Sequence, residues 1–106
     1  MESLIERLTL VERHVTRAIE TVRSDSAASP VLLAVVLEFQ RKAQKAHAAL
    51  SSGVDTRAAR EAVVEVEQAA DSANVAAAAD PSASEATRKA IEVAHKAMCL
   101  IKVEGS

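Results

Sequence analysis

Four side chains in this sequence could carry chemistry: His14, His47, His95 and Cys99. His95 and Cys99 stand one helical turn apart, a spacing that lets one helix face offer nitrogen and sulfur to zinc or copper. A zinc site needs a third or fourth ligand, and helix geometry withholds it. At 100° per residue, His14 falls roughly 100° to one side of its helix's apolar seam, and His95 roughly 100° to the opposite-signed side. Flanks of the same sign face each other in antiparallel neighbours, so His14 and His95 look into different grooves. His47 and His14 fail the same test. The expectation is therefore boundary or surface histidines, a small thiol, no metal and no cofactor. Nucleophilic catalysis finds no better footing, because the serines lie in loops and caps, where capping accounts for them. Gly occurs only at 53 and 105, which leaves no Gly-rich loop to hold phosphate. No enzymatic activity is expected.

The elements that place these residues follow from apolar spacing. In the stretch SPVLLAVVLEFQRKAQKAHAAL, Leu32, Val36, Phe39, Ala43, Ala46 and Leu50 step by four and three in turn, the seam of a bundle helix. Ser29 is its predicted cap, Pro30 suits its first turn, and Gly53 can close it in the left-handed conformation. The spacing predicts this second helix over 30–52. A first helix over 3–23 opens on the capping box of Ser3 and Glu6 and carries Leu4, Leu8, Val11, Val15, Ala18 and Val22, with Ile5 and Ile19 alongside. A third, over 56–79 and capped by Asp55, has the seam Ala59, Ala62, Val66, Ala70 (with Ala69), Ala73 and Ala77. Its methyl groups let a neighbouring backbone approach closely but bury little area. Asp80-Pro81 breaks the chain, Ser82 with Glu85 forms another capping box, and a fourth helix over 82–103 turns Thr87, Ala90, Ala94, Met98 (with Ala97) and Ile101 inward. Helices of similar length joined by short loops predict one all-α domain over 1–106, an antiparallel up-down-up-down four-helix bundle. RKA recurs at 41–43 and 88–90, and Ala-His at 46–47 and 94–95; the two echoes need different offsets and do not establish a duplicated hairpin.

Charged flanks predict which faces meet. Lys42 should oppose Glu65, Lys45 Glu61, and Arg88 Asp71, while Leu10 and His14 should bury against Val93, Ala97 and Leu100. His95 should turn toward Glu67 and Val63 as a structural histidine beside a carboxylate.

Composition narrows the function classes. Hydrophobic residues make up 49% of the chain with Ala dominant, and Phe39 is the only aromatic. Thirteen basic and 15 acidic residues are interspersed for a net charge of −2, so neither a basic footprint nor stacking platforms for nucleic acid exist. The apolar run from Pro30 to Leu37 is too short to cross a bilayer, and no helix sets Lys and Arg opposite a bulky apolar face. A single cysteine fits a reducing compartment, and MESLIERL lacks the order of a signal peptide. A soluble, cytoplasmic protein is expected.

The segment His47-Ala-Ala-Leu-Ser-Ser-Gly53 resembles the phospho-accepting segment of histidine phosphotransfer domains, which are also four-helix bundles. The resemblance implies a phosphoryl-accepting His47; it covers this segment alone, with Ala and Ser where such domains usually carry Lys and Gly. The favoured alternative rests on the outer face of the second helix. Leu37 lies about 160° from its seam, with Leu33 and Ala34 beside it and Val75 of the third helix at the same end. These four residues predict an interface, either of a homodimer or with a partner helix. The expected function is a small helical-bundle interaction or scaffold protein without catalytic activity, self-associating through that face. The alternative is a small-ligand-binding or phosphotransfer-like bundle using His47.

Overall fold

The computed structural model describes residues 4–52 and 56–105, and over them the predicted seams become the buried surfaces of four helices. These are α1 (Leu4–Ser24), α2 (Pro30–Ser51), α3 (Thr56–Ala79) and α4 (Glu85–Gly105). They form a four-helix bundle in which α1 packs on α2 and α4, and α3 on α2 and α4. Among the described residues, no helix is long and apolar enough to cross a membrane.

The core divides unevenly by bulk. α3 contributes Ala62, Val66, Ala70, Ala73 and Ala77, small groups that let its backbone approach. The volume comes from the other helices: Phe39, Leu8, Leu32, Ile91 and Met98 are the largest fully buried side chains. Small residues facing large ones are how a bundle core reaches close packing without strain. α4 corrects the predicted seam, since it buries Ile91 and leaves Ala90 half-buried, stepping Thr87, Ile91, Ala94, Met98, Ile101. Two predicted seam residues near helix ends also differ: Leu4 is exposed and Leu50 half-buried. Ile5, expected alongside the seam, is likewise exposed.

Ser29 caps α2 as predicted, its Oγ accepting the Val31 N–H at 3.1 Å with Pro30 following. α4 begins later than the capping box of Ser82 and Glu85 implies. Asp80 Oδ1 takes the Ser82 N–H at 3.0 Å in a turn, and Ser84 caps the helix by accepting the Thr87 N–H at 3.2 Å. Ser3, Gly53 and Asp55, assigned roles in capping or closing helices, lie outside the described residues.

Two aspartates tie the loops together. Asp25 Oδ2 accepts the Ser84 N–H at 2.8 Å, and Asp80 Oδ2 accepts the Ser29 N–H at 2.8 Å. Each also closes its own turn, Asp25 on the Ala27 N–H and Asp80 on the Ser82 N–H. The α1/α2 and α3/α4 loops therefore share one end of the bundle, with α1 and α3 running toward it and α2 and α4 away. The clasp is reciprocal, and so is the core. The shift that carries Asp25 onto Asp80 and Ser29 onto Ser84 carries Val11, Val15, Ala18 and Val22 onto Val66, Ala70, Ala73 and Ala77. It likewise carries Leu32, Val36, Phe39, Ala43 and Ala46 onto Thr87, Ile91, Ala94, Met98 and Ile101, buried in every case. The two hairpins are thus equivalent units, in a register that neither the RKA nor the Ala-His echo marks.

Candidate functional site

The chemically capable side chains are kept apart by the bundle. His14 lines the α1/α4 groove. His47 sits between α1 and α2, its Nδ1 3.4 Å from Glu12 Oε2. His95 lies between α3 and α4, and its Nε2–H donates to Asp71 Oδ1 at 2.8 Å. The expected carboxylate beside His95 is present, but it is Asp71, one turn from Glu67. Cys99 Sγ stands 3.6 Å from His95 Nε2 and 3.9 Å from Nδ1. With Nε2 committed to Asp71, these residues form a chain linking α4 to α3. Among the described residues, no group of three or more His, Cys, Asp and Glu side chains is placed to hold a metal ion.

Two apolar surfaces stand out instead. The first is at the clasped end, between α2 and α3. Val31 and Val75 are each 65% exposed, Ala34 and Ala79 are exposed, and Val31, Leu32, Ala76 and Ala79 line a shallow hollow of about 350 Å³. Of the predicted interface residues, Ala34 and Val75 face solvent. Leu33 and Leu37 are half-buried and pack against the core, which corrects the expectation that the core cannot cover Leu37. A helical wheel treats the core as a line, whereas a long side chain leans back over the preceding turn and reaches sideways.

The second surface is the α1/α4 groove, a trough of about 420 Å³ floored by Leu10, Val93, Ala97 and Leu100. These residues meet as predicted, yet Leu10 stays 42% exposed and Leu100 58% exposed, against the expectation that they bury each other. They flank the seam, and two packed helices leave such flanks open above their line of contact. Arg7, Lys89, Lys96 and Glu92 stand around the floor. Lys96 Nζ is 2.9 Å from Glu92 Oε1. That hydrogen bond, helped by the charges of Lys96 and Lys89, holds the Glu92 carboxyl below its ordinary range; the same bond and the Glu92 charge push the Lys96 ammonium up.

The equivalent groove, between α2 and α3, is built differently. The hairpin shift carries Leu10, Val93, Ala97 and Leu100 onto the places of Glu65, Glu38, Lys42 and Lys45. Those four charges bridge the helices: Lys42 Nζ is 2.6 Å from Glu65 Oε1 and 3.8 Å from Glu38 Oε1, and Lys45 Nζ is 3.4 Å from Glu65 Oε1. Hydrogen bonds from Lys42 and then Lys45 hold the Glu65 carboxyl below its ordinary range. The predicted Lys42–Glu65 pair is therefore present. Lys45 joins Glu65 rather than Glu61, which lies beside Arg57. Arg88 donates to the Asp80 carbonyl at 2.8 Å instead of meeting Asp71, whose carboxylate His95 engages.

No protein-family model, curated protein or solved structure matches this chain.

Proposed function

We propose that this chain is a helical-bundle interaction or scaffold protein without catalytic activity, which self-associates through the face shared by α2 and α3 at the clasped end. The observation that carries this reading is the pair Val31 and Val75, each 65% exposed, beside an apolar hollow in which the charged Asp80 is engaged by the Ser29 N–H. α2 has no acidic residue in its first turn, and α3 no basic residue in its last. Ala34 and Ala79 extend the patch, and the half-buried Leu33 and Leu37 stand at its edge. Neighbouring apolar groups of this kind on a small domain mark a contact surface. Covering each valine contributes about 1–2 kcal/mol per copy, which favours a weak, concentration-dependent homodimer. The lone Cys99 suits a reducing, cytoplasmic setting.

Sedimentation velocity over a wide concentration range tests the reading. The unmodified protein should shift from monomer to dimer, and Val31→Glu with Val75→Glu should hold it monomeric with unchanged helical circular dichroism. Leu37→Glu is the poorer variant, because a half-buried side chain reports on the fold as well. A protein that stays monomeric throughout would overturn the proposal.

A further inference from the structure

The contacts that join the two hairpins do not require them to belong to one chain. The clasp and the core layers run between hairpins, whereas the covalent connection is the four residues between Ser51 and Thr56, at the end of the rod away from the clasp. Counted from the clasp, the core falls into levels to which each helix gives one residue. Ten residues out, Val15 and Phe39 of the first hairpin share a level with Ala70 and Ala94 of the second; fourteen out, Val11 and Ala43 share one with Val66 and Met98. α2 thus offers large then small where α4 offers small then large, the alternation that lets core layers interdigitate. Like hairpins lack it. Two copies of the first would crowd two Phe and two Val side chains into one level, and two copies of the second would leave four Ala around a void. Asp25 discriminates as well, since Thr87, which donates to it at 2.8 Å, has Leu32 as its counterpart in the first hairpin.

Each hairpin therefore selects the opposite hairpin, whichever chain carries it. A short connection presents the second hairpin to the first at an effective concentration in the millimolar range. A second copy competes once the protein itself reaches that range. We propose that the core face of each hairpin is a binding surface for the opposite hairpin of a second copy, giving a dimer by reciprocal exchange. The clasp bonds and core layers are then all kept, once in each exchanged bundle. Four residues reach about 14 Å when extended, which lets the two bundles lie end to end at their unclasped ends, about twice as long as the 42 Å rod. The exchange stands apart from association through the valine face, because Val31 and Val75 lie outside the core at the clasped end.

The test uses the full chain with Cys99→Ser, Ser29→Cys and Asp80→Cys combined, because the Ser29 N–H lies 2.8 Å from Asp80 Oδ2 across the two hairpins. The Asp25 side of the clasp is left intact. The variant is refolded under reducing conditions at about 10 μM and at about 1 mM, then oxidised and run on a non-reducing gel. Reciprocal exchange links the new cysteines between chains, so covalent dimer should form at the higher concentration and linked monomer at the lower. Adding Val31→Glu with Val75→Glu should keep the covalent dimer, which separates failure of this proposal from failure of the valine-face association. A second measurement mixes Phe39→Asp chains with Ile91→Asp chains, each defective in a different hairpin. Helical circular dichroism should rise above the average of the separate samples, toward half the unmodified signal, as the intact first hairpin of one chain meets the intact second hairpin of the other. Mixing Phe39→Asp with Val15→Asp chains, both defective in the first hairpin, should give no rise. Links confined within single chains at millimolar protein, or no gain on mixing the Phe39→Asp and Ile91→Asp chains, would overturn the proposal.

Discussion

Asp25 does more than its place in a Ser- and Ala-rich loop announces. One carboxylate oxygen takes the Ser84 N–H and the Thr87 hydroxyl, both at 2.8 Å, and the other takes the Ala27 N–H at 3.1 Å. Thr87 is fully buried, and its hydroxyl is satisfied there by Asp25 and Ser84. Bonds made to the charged form, the Ser84 backbone first and the Thr87 side chain next, lower the Asp25 pKa from 3.8 to about 2. The unfolded chain thus takes up the proton first as pH falls. The stabilisation is complete above the unfolded value and is lost as pH drops through about 4 toward 2. Asp25→Asn should lower the melting temperature at neutral pH, and the gap to the unmodified protein should close as pH falls from 5 to 2. Thermal melts at several pH values check this, and a gap that stays constant would show that charge plays no part. Nothing in the sequence reveals this role of Asp25, because Ser84 and Thr87 lie 59 and 62 residues away along the chain.

At the scale of elements, α3 is the helix that sets how closely the bundle packs. Ala70 and Ala73 are buried to 1% and 0% exposure, so no room exists there for a larger side chain. Ala73→Leu should destabilise the protein by about 1–3 kcal/mol in urea unfolding, through overpacking rather than lost contact. A neutral effect would mean the seam is looser than its methyl lining implies. This alanine seam was legible in the sequence, as were the α1 and α2 seams apart from Leu4 and Leu50 at the helix ends, and the separation of the histidines, because all of these are angular facts about one helix. What depends on two helices at once was legible only in outline. Lys42 meets Glu65 as expected, but Lys45 reaches the same carboxylate, and His95 finds Asp71 a turn from Glu67. Long side chains choose partners within a turn of the ideal level, and periodicity carries no such resolution. It is equally silent on whether a groove stays open, which is why Leu10 and Leu100 were expected inside.

The whole molecule is a rod of 42 × 22 × 19 Å with different surfaces on opposite sides. The α2/α3 side presents Val31 and Val75 at the clasped end, with an ion-pair cluster farther along. The α1/α4 side presents an apolar trough floored by Leu10, Val93, Ala97 and Leu100. A homodimer on the first side would leave the second uncovered. Such an arrangement is what the scaffold reading requires.

The reciprocal clasp also bears on the order in which the chain is written. Asp25 holds the second loop as Asp80 holds the first, so neither hairpin depends on preceding the other. α1 begins and α4 finishes at the end of the rod away from the clasp, on adjacent helices. A circular permutant that starts at residue 56, joins residue 106 to residue 1 by a flexible linker and stops at residue 52 keeps both loops uncut. It should fold with the same helical circular dichroism and should show the same acid sensitivity between pH 4 and 2. Loss of folding in that permutant, with the linker long enough to span the gap, would mean that the hairpins are read in sequence rather than as interchangeable halves.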